Sequence, residues 1–435
     1  MSAKLAYQKP SVTLPEIPPE IWIEILRLAT DVPDSLEHPQ LLVDPKHSCT
    51  FRLSGPATRR HKAALITKRY IVLVCREWYA IGMPFLYEHI SITRPRHVHQ
   101  LPETLSKTMT RGEVREPLAF GYFVKRLDMT AMALDPVDWS DEGCGTSLRQ
   151  VLDLTPNLVT LNMSSTRSLL RQIERIPRAA IPGLRNLNWT RTGISPERGF
   201  KLFHTEFLDS HPHIENLDLV SLYLSPHFED KDPHMWPSIR RLKCFPSSHM
   251  IKETSHQFYP GSFPNLEDAF FIVRFDGLAY LNSKFCLAYG RRLKVVHLND
   301  YELWRSSDIM TQDFQSLRDW CPMLEEINFT SPHSSVIPSC AVASTIVLQG
   351  IRTVGFHASM YQLSKQQAKA FLRNIISWAQ SPATPNARIL RLISEENILH
   401  PPTHFGGEHP ASSDSFRRRT SCICRASMLS SLTHF

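Results

Sequence analysis

The sequence predicts an α/β chain: a helical module at the N-terminus, then an irregular repeat solenoid with a curved parallel sheet on its inner side. Three observations predict it. A short apolar phrase recurs through most of the chain at steps of 25–31 residues. Ahead of it stand two apolar runs of helical period. The composition sets 16 glycines against 32 prolines, which argues against a glycine-rich nucleotide fold and for a chain punctuated by turns.

The bulk numbers bound the rest. A length of 435 residues allows two to four domains or one long repeat array. The net charge of +7, with 49 basic and 42 acidic residues, is too mild to imply nucleic acid. Nine cysteines, mostly far apart, fit buried reduced thiols and a cytoplasmic or nuclear protein better than a disulfide framework. The N-terminus has no apolar signal core, and no run reaches the 18 or so apolar residues a membrane helix needs.

Residues 1–13 read as a disordered leader and 14–93 as the helical module. Within it, Pro18-Pro19 opens a helix whose first turn has no use for its N–H groups. Ile21, Ile25 and Leu28 fall on one face, and Trp22, Leu26 and Ala29 form an adjoining stripe. A second helix is expected over Tyr70–Ala80, with Ile71, Val74, Cys75 and Trp78 at i, i+3, i+4, i+7. Pro84–Ile92 then turns strand-like. Residues 30–63, with four prolines and the run Arg59-Arg60-His61-Lys62, read as a surface loop.

The repeats occupy 118–394. The phrase is clearest in Pro156-Asn157-Leu158-Val159-Thr160-Leu161-Asn162-Met163. It returns from Pro182, Pro212, Pro237, Pro264 and Pro322, and without the proline from 291 and 349; Val124, Leu127 and Met129 form a degenerate first copy. Counting the proline as position 0, apolar residues recur at positions 2, 5 and 7. Positions 5 and 7 are two apart, so they share one face of a short strand. The period and the L-x-x-L-x-L pattern are those of leucine-rich repeats. Helical returns are expected at Ser168–Ile176, Pro196–Asp209, Leu278–Tyr289, Asp308–Trp320 and Lys365–Ala379, the last with Ser364 and Gln367 at capping-box spacing. Residues 395–435 lack periodicity and read as a disordered tail.

The helical module resembles a known family. Ile17-Pro18-Pro19-Glu20-Ile21-Trp22-Ile23-Glu24-Ile25-Leu26 looks like the opening phrase of an F-box, and Val74-Cys75-Arg76-Glu77-Trp78 looks like its second half. With Pro84-Phe85-Leu86-Tyr87-Glu88-His89-Ile90 following, the stretch resembles the F-box-like proteins numerous in fungi, although about 34 extra residues separate the halves. The resemblance implies a substrate-recognition subunit of an SCF-type cullin–RING ubiquitin ligase, which docks a Skp-type adaptor and presents a target. Ile17, Pro18, Pro19, Ile21, Trp22, Ile25, Leu26, Val74 and Trp78 would then bind the adaptor. The alternative is a leucine-rich-repeat interaction scaffold whose first helices only cap the solenoid.

No phosphate-binding glycine loop, nucleophile elbow, dinucleotide turn or zincin helix is present in the sequence. Cys422-x-Cys424 lacks a second pair, and His97-x-His99 and His211-x-His213 read as solvated loop histidines. The expectation is therefore a protein-binding chain with no catalytic residues, cofactor or metal. Target recognition falls to position 6, which points away from the buried face. Asn188, Asp218, Lys243, Phe270, His297 and Asn328 are its candidates, with Asn162 and Gly355 on the same ladder. A one-residue register error would exchange Phe270 and Phe271.

Overall fold

The computed structural model describes residues 17–30, 55–92, 95–108, 118–129, 142–165, 181–191, 207–219, 235–244, 261–273, 286–300, 315, 317–331, 347–358, 366, 369, 373, 377, 384–393 and 422–425. Three helices open the chain: α1 (Pro19–Thr30), α2 (Gly55–Ile71) and α3 (Arg76–Tyr87). Two more, α4 (Pro95–Ser106) and α5 (Glu142–Asp153), lie among the first strands.

The strands form one open sheet in sequence order. They are β1 (His89–Ser91), β2 (Arg126–Met129), β3 (Thr160–Ser165), β4 (Asn186–Arg191), β5 (Asn216–Leu219) and β6 (Arg241–Cys244). There follow β7 (Asp268–Val273), β8 (Val295–Asp300), β9 (Glu326–Ser331), β10 (Thr353–Ala358), β11 (Ile389–Ile393) and β12 (Cys422–Arg425). Every neighbouring pair from β1 to β11 is parallel, and β12 alone pairs antiparallel, on β11. A parallel pair needs a long return connection, which is why strands recur only once per repeat.

The repeat phrase has a specific local structure. The N–H of position 2 donates to the carbonyl just before position 0: Leu158 to Thr155, Ile214 to His211, Ile239 to Trp236, Leu266 to Phe263 and Leu324 to Cys321. This closes a four-residue turn with the proline at its second position, where a φ near −65° is already required. The carbonyl of position 3 then accepts two N–H groups, from positions 3 and 4 of the next copy. Val159 accepts from Arg185 and Asn186, and Glu215 accepts from Arg240 and Arg241, all at 2.9–3.1 Å. The same fork recurs down to Arg352, which accepts from Arg388 and Ile389.

With the turn set, positions 2, 5 and 7 stack into apolar ladders. Leu127, Leu161, Leu187, Leu217, Leu242, Ala269, Val296, Ile327 and Val354 form the position-5 ladder, and all are buried. Each large member contributes about 1.5–3 kcal/mol by leaving water. Leu148, Val151 and Leu152 of α5 pack into the same core. By backbone register Phe271 aligns with Cys244 and Leu298, and Phe270 with Lys243 and His297, while Ala269 is buried in the position-5 ladder.

Several expectations are corrected. The second helix does not run through Tyr70–Ala80: α2 ends at Ile71, a turn follows, and the Cys75 Sγ accepts from the Trp78 N–H to cap α3. Gly82 accommodates the close approach after the break. A Cβ there would stand 2.9 Å from both Ile71 Cγ2 and Val72 Cγ1, so α3 folds back closely on the end of α2. The expected loop over 30–63 is helical from Gly55, because Pro56 suits a first turn and the Ala-, Lys- and Arg-rich stretch after it favours helix. Residues 84–87 extend α3 rather than a strand. Cys422–Arg425, inside the tail expected to lack structure, pair along the edge that β11 would otherwise leave open.

Of the expected helical returns, Ser168–Ile176 lies outside the described residues. Residues 207–210, 286–289 and 317–320 are helical at the ends of three others. In the last, Gln366, Lys369, Arg373 and Ser377 are helical, while Ser364 and Gln367 lie outside the described residues.

A packing test follows from β10. A Cβ on Gly355 would fall directly on the Asn328 amide oxygen and 2.8 Å from its Cγ. Gly355→Ala is expected to cost about 1–3 kcal/mol in a denaturant melt, as overpacking does. Asn328→Ala in the same chain should recover part of that loss, and a strictly additive double variant would refute the contact.

Candidate interaction surfaces

The first surface lies on the helical module. Trp22 and Leu26 of α1 turn inward: the Trp22 ring sits 5.0 Å from that of Trp78, and Leu26 is buried. The Arg27 guanidinium lies 6.0 Å over the Phe85 ring, and the Thr30 hydroxyl donates to the Leu26 carbonyl at 2.7 Å. With that stripe used to hold α1 on α3, the other is left in solvent. Ile17, Ile21, Ile25 and Leu28 are all exposed, Leu28 to 78%. Ile66 and Tyr70 on α2 and Leu73 and Val74 in the following turn are exposed as well.

Of the adaptor-binding candidates, Ile17, Pro18, Pro19, Ile21, Ile25 and Val74 are therefore on the surface, Trp22 and Trp78 are half-buried, and Leu26 is inside. An apolar surface of this extent is the usual mark of an interface.

The second surface is the sheet face opposite the apolar ladders, formed by positions 4 and 6. Residues of position 6 were expected to face outward. Yet Asn162, Asn188, Asp218 and Asn328 are at most 5% exposed. The Asn162 amide donates to the Asp128 carboxylate. On position 4, Asn216 donates to Asn186 at 2.5 Å and Asn186 to the Thr160 hydroxyl at 2.9 Å. Arg241 Nε lies 2.6 Å from Asp268 Oδ2, and His297 Nε2 lies 3.2 Å from Asp268 Oδ1. Burial alone would raise the Asp268 carboxyl, but His297 and Arg241 together hold it below its ordinary range. Lys243 and Phe270 stand at register positions between Asp218 and His297.

Where the module meets the sheet, a buried polar cluster joins them. Arg126 Nε donates to both Asp128 oxygens at 2.9 and 3.1 Å, and His89 Nε2 lies 2.6 Å from Asp128 Oδ2. The His61 ring of α2 lies tilted against that of His89, with ring centroids 4.0 Å apart. Burial, then the neighbouring His89, lowers the His61 pKa from 6.5 to about 3; Lys68 and Arg126 act the same way and Asp128 opposes them. Burial would raise the Asp128 carboxyl, but Arg126 and His89 outweigh it and hold it well below the usual range.

The other histidine expectations also change. His97 and His99 lie on helix α4, with His99 Nδ1 3.1 Å from the Ser147 hydroxyl. His211 is buried against Phe207, its Nδ1 2.8 Å from the Phe207 carbonyl. Cys286 and Cys321 are buried as expected; a hydrogen bond with Cys321, then burial, pushes the Cys286 thiol well up. Cys75 is instead exposed. Among the described residues no group of three or more His, Cys, Asp or Glu could hold a metal ion, and no helix is long and apolar enough to cross a membrane.

Sequence reasoning missed the position-1 residues that tie one copy to the last. Asn157, Asn265 and Asn386 donate to the carbonyls of Tyr122, Pro237 and Gln349, at 2.7–2.8 Å. It also missed a charged rim at position 3. There Arg185, Glu215, Arg240, Glu267, Lys294, Glu325 and Arg352 alternate in sign, with ion pairs at Arg185–Glu215 (2.9 Å) and Lys294–Glu267 (3.1 Å). Both signals are visible once the copies are aligned on the proline. Compared with models of known protein families the chain matches none, and no curated protein matches it.

A pH dependence follows from His61. Its folded pKa lies below its ordinary value, so the neutral ring is what the fold favours. Its contribution is complete above pH 6.5 and is lost as the pH falls from 6.5 toward 3. Asp128 acts in the same direction, but only below its ordinary range near 3.8. Between pH 6.5 and 4.5, chemical denaturation should show stability falling by at most about 1.4 kcal/mol per pH unit from this group. His61→Phe should flatten that slope, and an unchanged slope would exclude the buried imidazole as its source.

Proposed function

We propose that the chain is a substrate-recognition subunit of an SCF-type cullin–RING ubiquitin ligase. Its first helices form an F-box-like module that docks a Skp-type adaptor, and its repeats form a leucine-rich-repeat solenoid that binds the protein to be ubiquitinated. The observation that carries the reading is the division of labour on α1. One stripe, Trp22 and Leu26, holds the helix in place, while Ile17, Ile21, Ile25 and Leu28 remain in solvent. A helix that served only as an end cap would bury its apolar residues; this one keeps a row of them outside. The chain carries no catalytic step of its own in this reading. It works by holding adaptor and target on one body in the cytoplasm or nucleus.

The capping reading has its own support in the His61–His89–Asp128 cluster, by which α2 closes the first strands of the sheet. The two roles use different faces of the module. Co-purification with the Skp-type adaptor separates them. Ile25→Asp places a charge in the exposed stripe and is expected to weaken adaptor binding by several kcal/mol without lowering the melting temperature, since Ile25 is 43% exposed. Undiminished capture of the adaptor by the folded variant would leave the cap as the better account.

A further inference from the structure

The edge at which the chain enters each strand carries two rows of exposed side chains. The first is at position 0, where Pro182, Pro212, Pro237 and Pro322 are exposed, with Met323 beside the last of them 53% exposed. The second is the charged rim at position 3. From Arg185 before β4 to Arg352 before β10 its sign alternates without a break. The chain does not use up these charges. Arg185 pairs with Glu215 and Lys294 with Glu267, yet all four side chains are at least 40% exposed. Arg240, Glu325 and Arg352 are exposed and have no ion pair among the described residues. An apolar row with a charged row along one edge has the make-up of an interface.

The pitch of the rim selects what fits it. Neighbouring strands lie about 4.8 Å apart, and the charges follow them. A helix advances about 5.4 Å per turn and would drift by about 3 Å over six rungs, enough to bring like charges together at the ends. An extended strand spaces same-side residues by about 6.8 Å and falls out of step sooner. A second parallel sheet of the same kind keeps step throughout.

Two copies related by a two-fold axis meet with their rungs in reversed order. If the axis passes through a strand, the alternating row meets itself like against like. If it passes between two strands, each charge meets its opposite. The gap between β7 and β8 sets Arg240 against the partner's Glu325, two charges of opposite sign that lack an ion pair in their own chain. It also sets Glu215 against the partner's Arg352, Glu267 against the partner's Lys294 and Pro237 against the partner's Pro322. One rung further out Arg185 would face the partner's Arg388, like against like, which marks the limit of the contact.

We propose that this edge is the interface of a reversible homodimer whose two-fold axis lies between β7 and β8. Six rungs span about 24 Å, a small contact at the weak end of specific association. The alternating charges set its register more than its affinity. The inference uses neither α1 nor the polar face of the sheet, and it stands apart from the ligase reading.

The test is sedimentation velocity on the full chain, over a wide concentration range and at low and high salt. The parent chain is expected to show a monomer–dimer equilibrium that weakens at high salt. Arg240→Glu and Glu325→Arg each set like charges on two symmetry-related rungs and are expected to weaken self-association about tenfold or more. Mixed in equal amounts, the two variants should associate again, because each of those rungs then carries one charge of either sign. Thermal melts establish that both fold. Should one not, Arg352→Glu, which sets like charges on the rung shared with Glu215, takes its place, and its loss of self-association decides. A parent chain that stays monomeric throughout, self-association unchanged in the folded variants, or a mixture that does not recover overturns the proposal.

Discussion

One carbonyl per repeat organises this molecule. At position 3 the backbone oxygen accepts two N–H groups from the copy that follows, and the same fork recurs from Glu88 through Lys125, Val159 and Arg185 to Arg352. It fixes the next strand's register before any side chain is considered. Its geometry requires the chain to arrive from a tight turn, which is where the prolines sit, and to leave as a strand whose positions 5 and 7 face one way. The apolar ladders, the polar ladders and the charged rim are all consequences of that repeated alignment. A side chain placed at a given position is placed beside its counterparts, whatever its identity.

That alignment explains what could be read in advance. Apolar positions 2, 5 and 7 were legible because burial repeats the same demand in each copy. The last copy was not: Pro385-Asn386-Ala387 with Leu390 and Leu392 has the phrase, but alanine at position 2 breaks the leucine pattern, and β11 follows from it regardless. The break between α2 and α3 was hidden because Ile71, Val74, Cys75 and Trp78 keep a helical period across a turn. Periodicity records which residues are apolar, and cannot record that Gly82 lets one helix fold onto another.

The polar features were less legible, for a different reason. His61, His89 and Asp128 are separated by 28 and 39 residues and lie on a helix and two strands. No local pattern links them: the parallel pairing of β1 with β2 sets His89 near Asp128, and α2 brings the His61 ring against His89. At position 6, the burial of Asn162, Asn188, Asp218 and Asn328 was not foreseen. Outward direction and exposure separate when neighbouring strands lie only about 4.8 Å apart and set polar side chains side by side. Of the position-6 candidates whose side chains are described, His297 alone keeps a sizeable part of its side chain, 19%, in contact with solvent.

The helical module owns the first strand of the sheet. β1 follows α3 after a single residue, yet it is paired to β2, and its His89 is held by Asp128 across that pairing. The two parts are thus not interchangeable cassettes. A recombination event that joined the first 92 residues to another array would bring along a strand edge and an imidazole, and the recipient would have to offer a matching carboxylate. Shuffling of such modules between genes is then constrained at the seam, so that a module and its first repeat are expected to be inherited together.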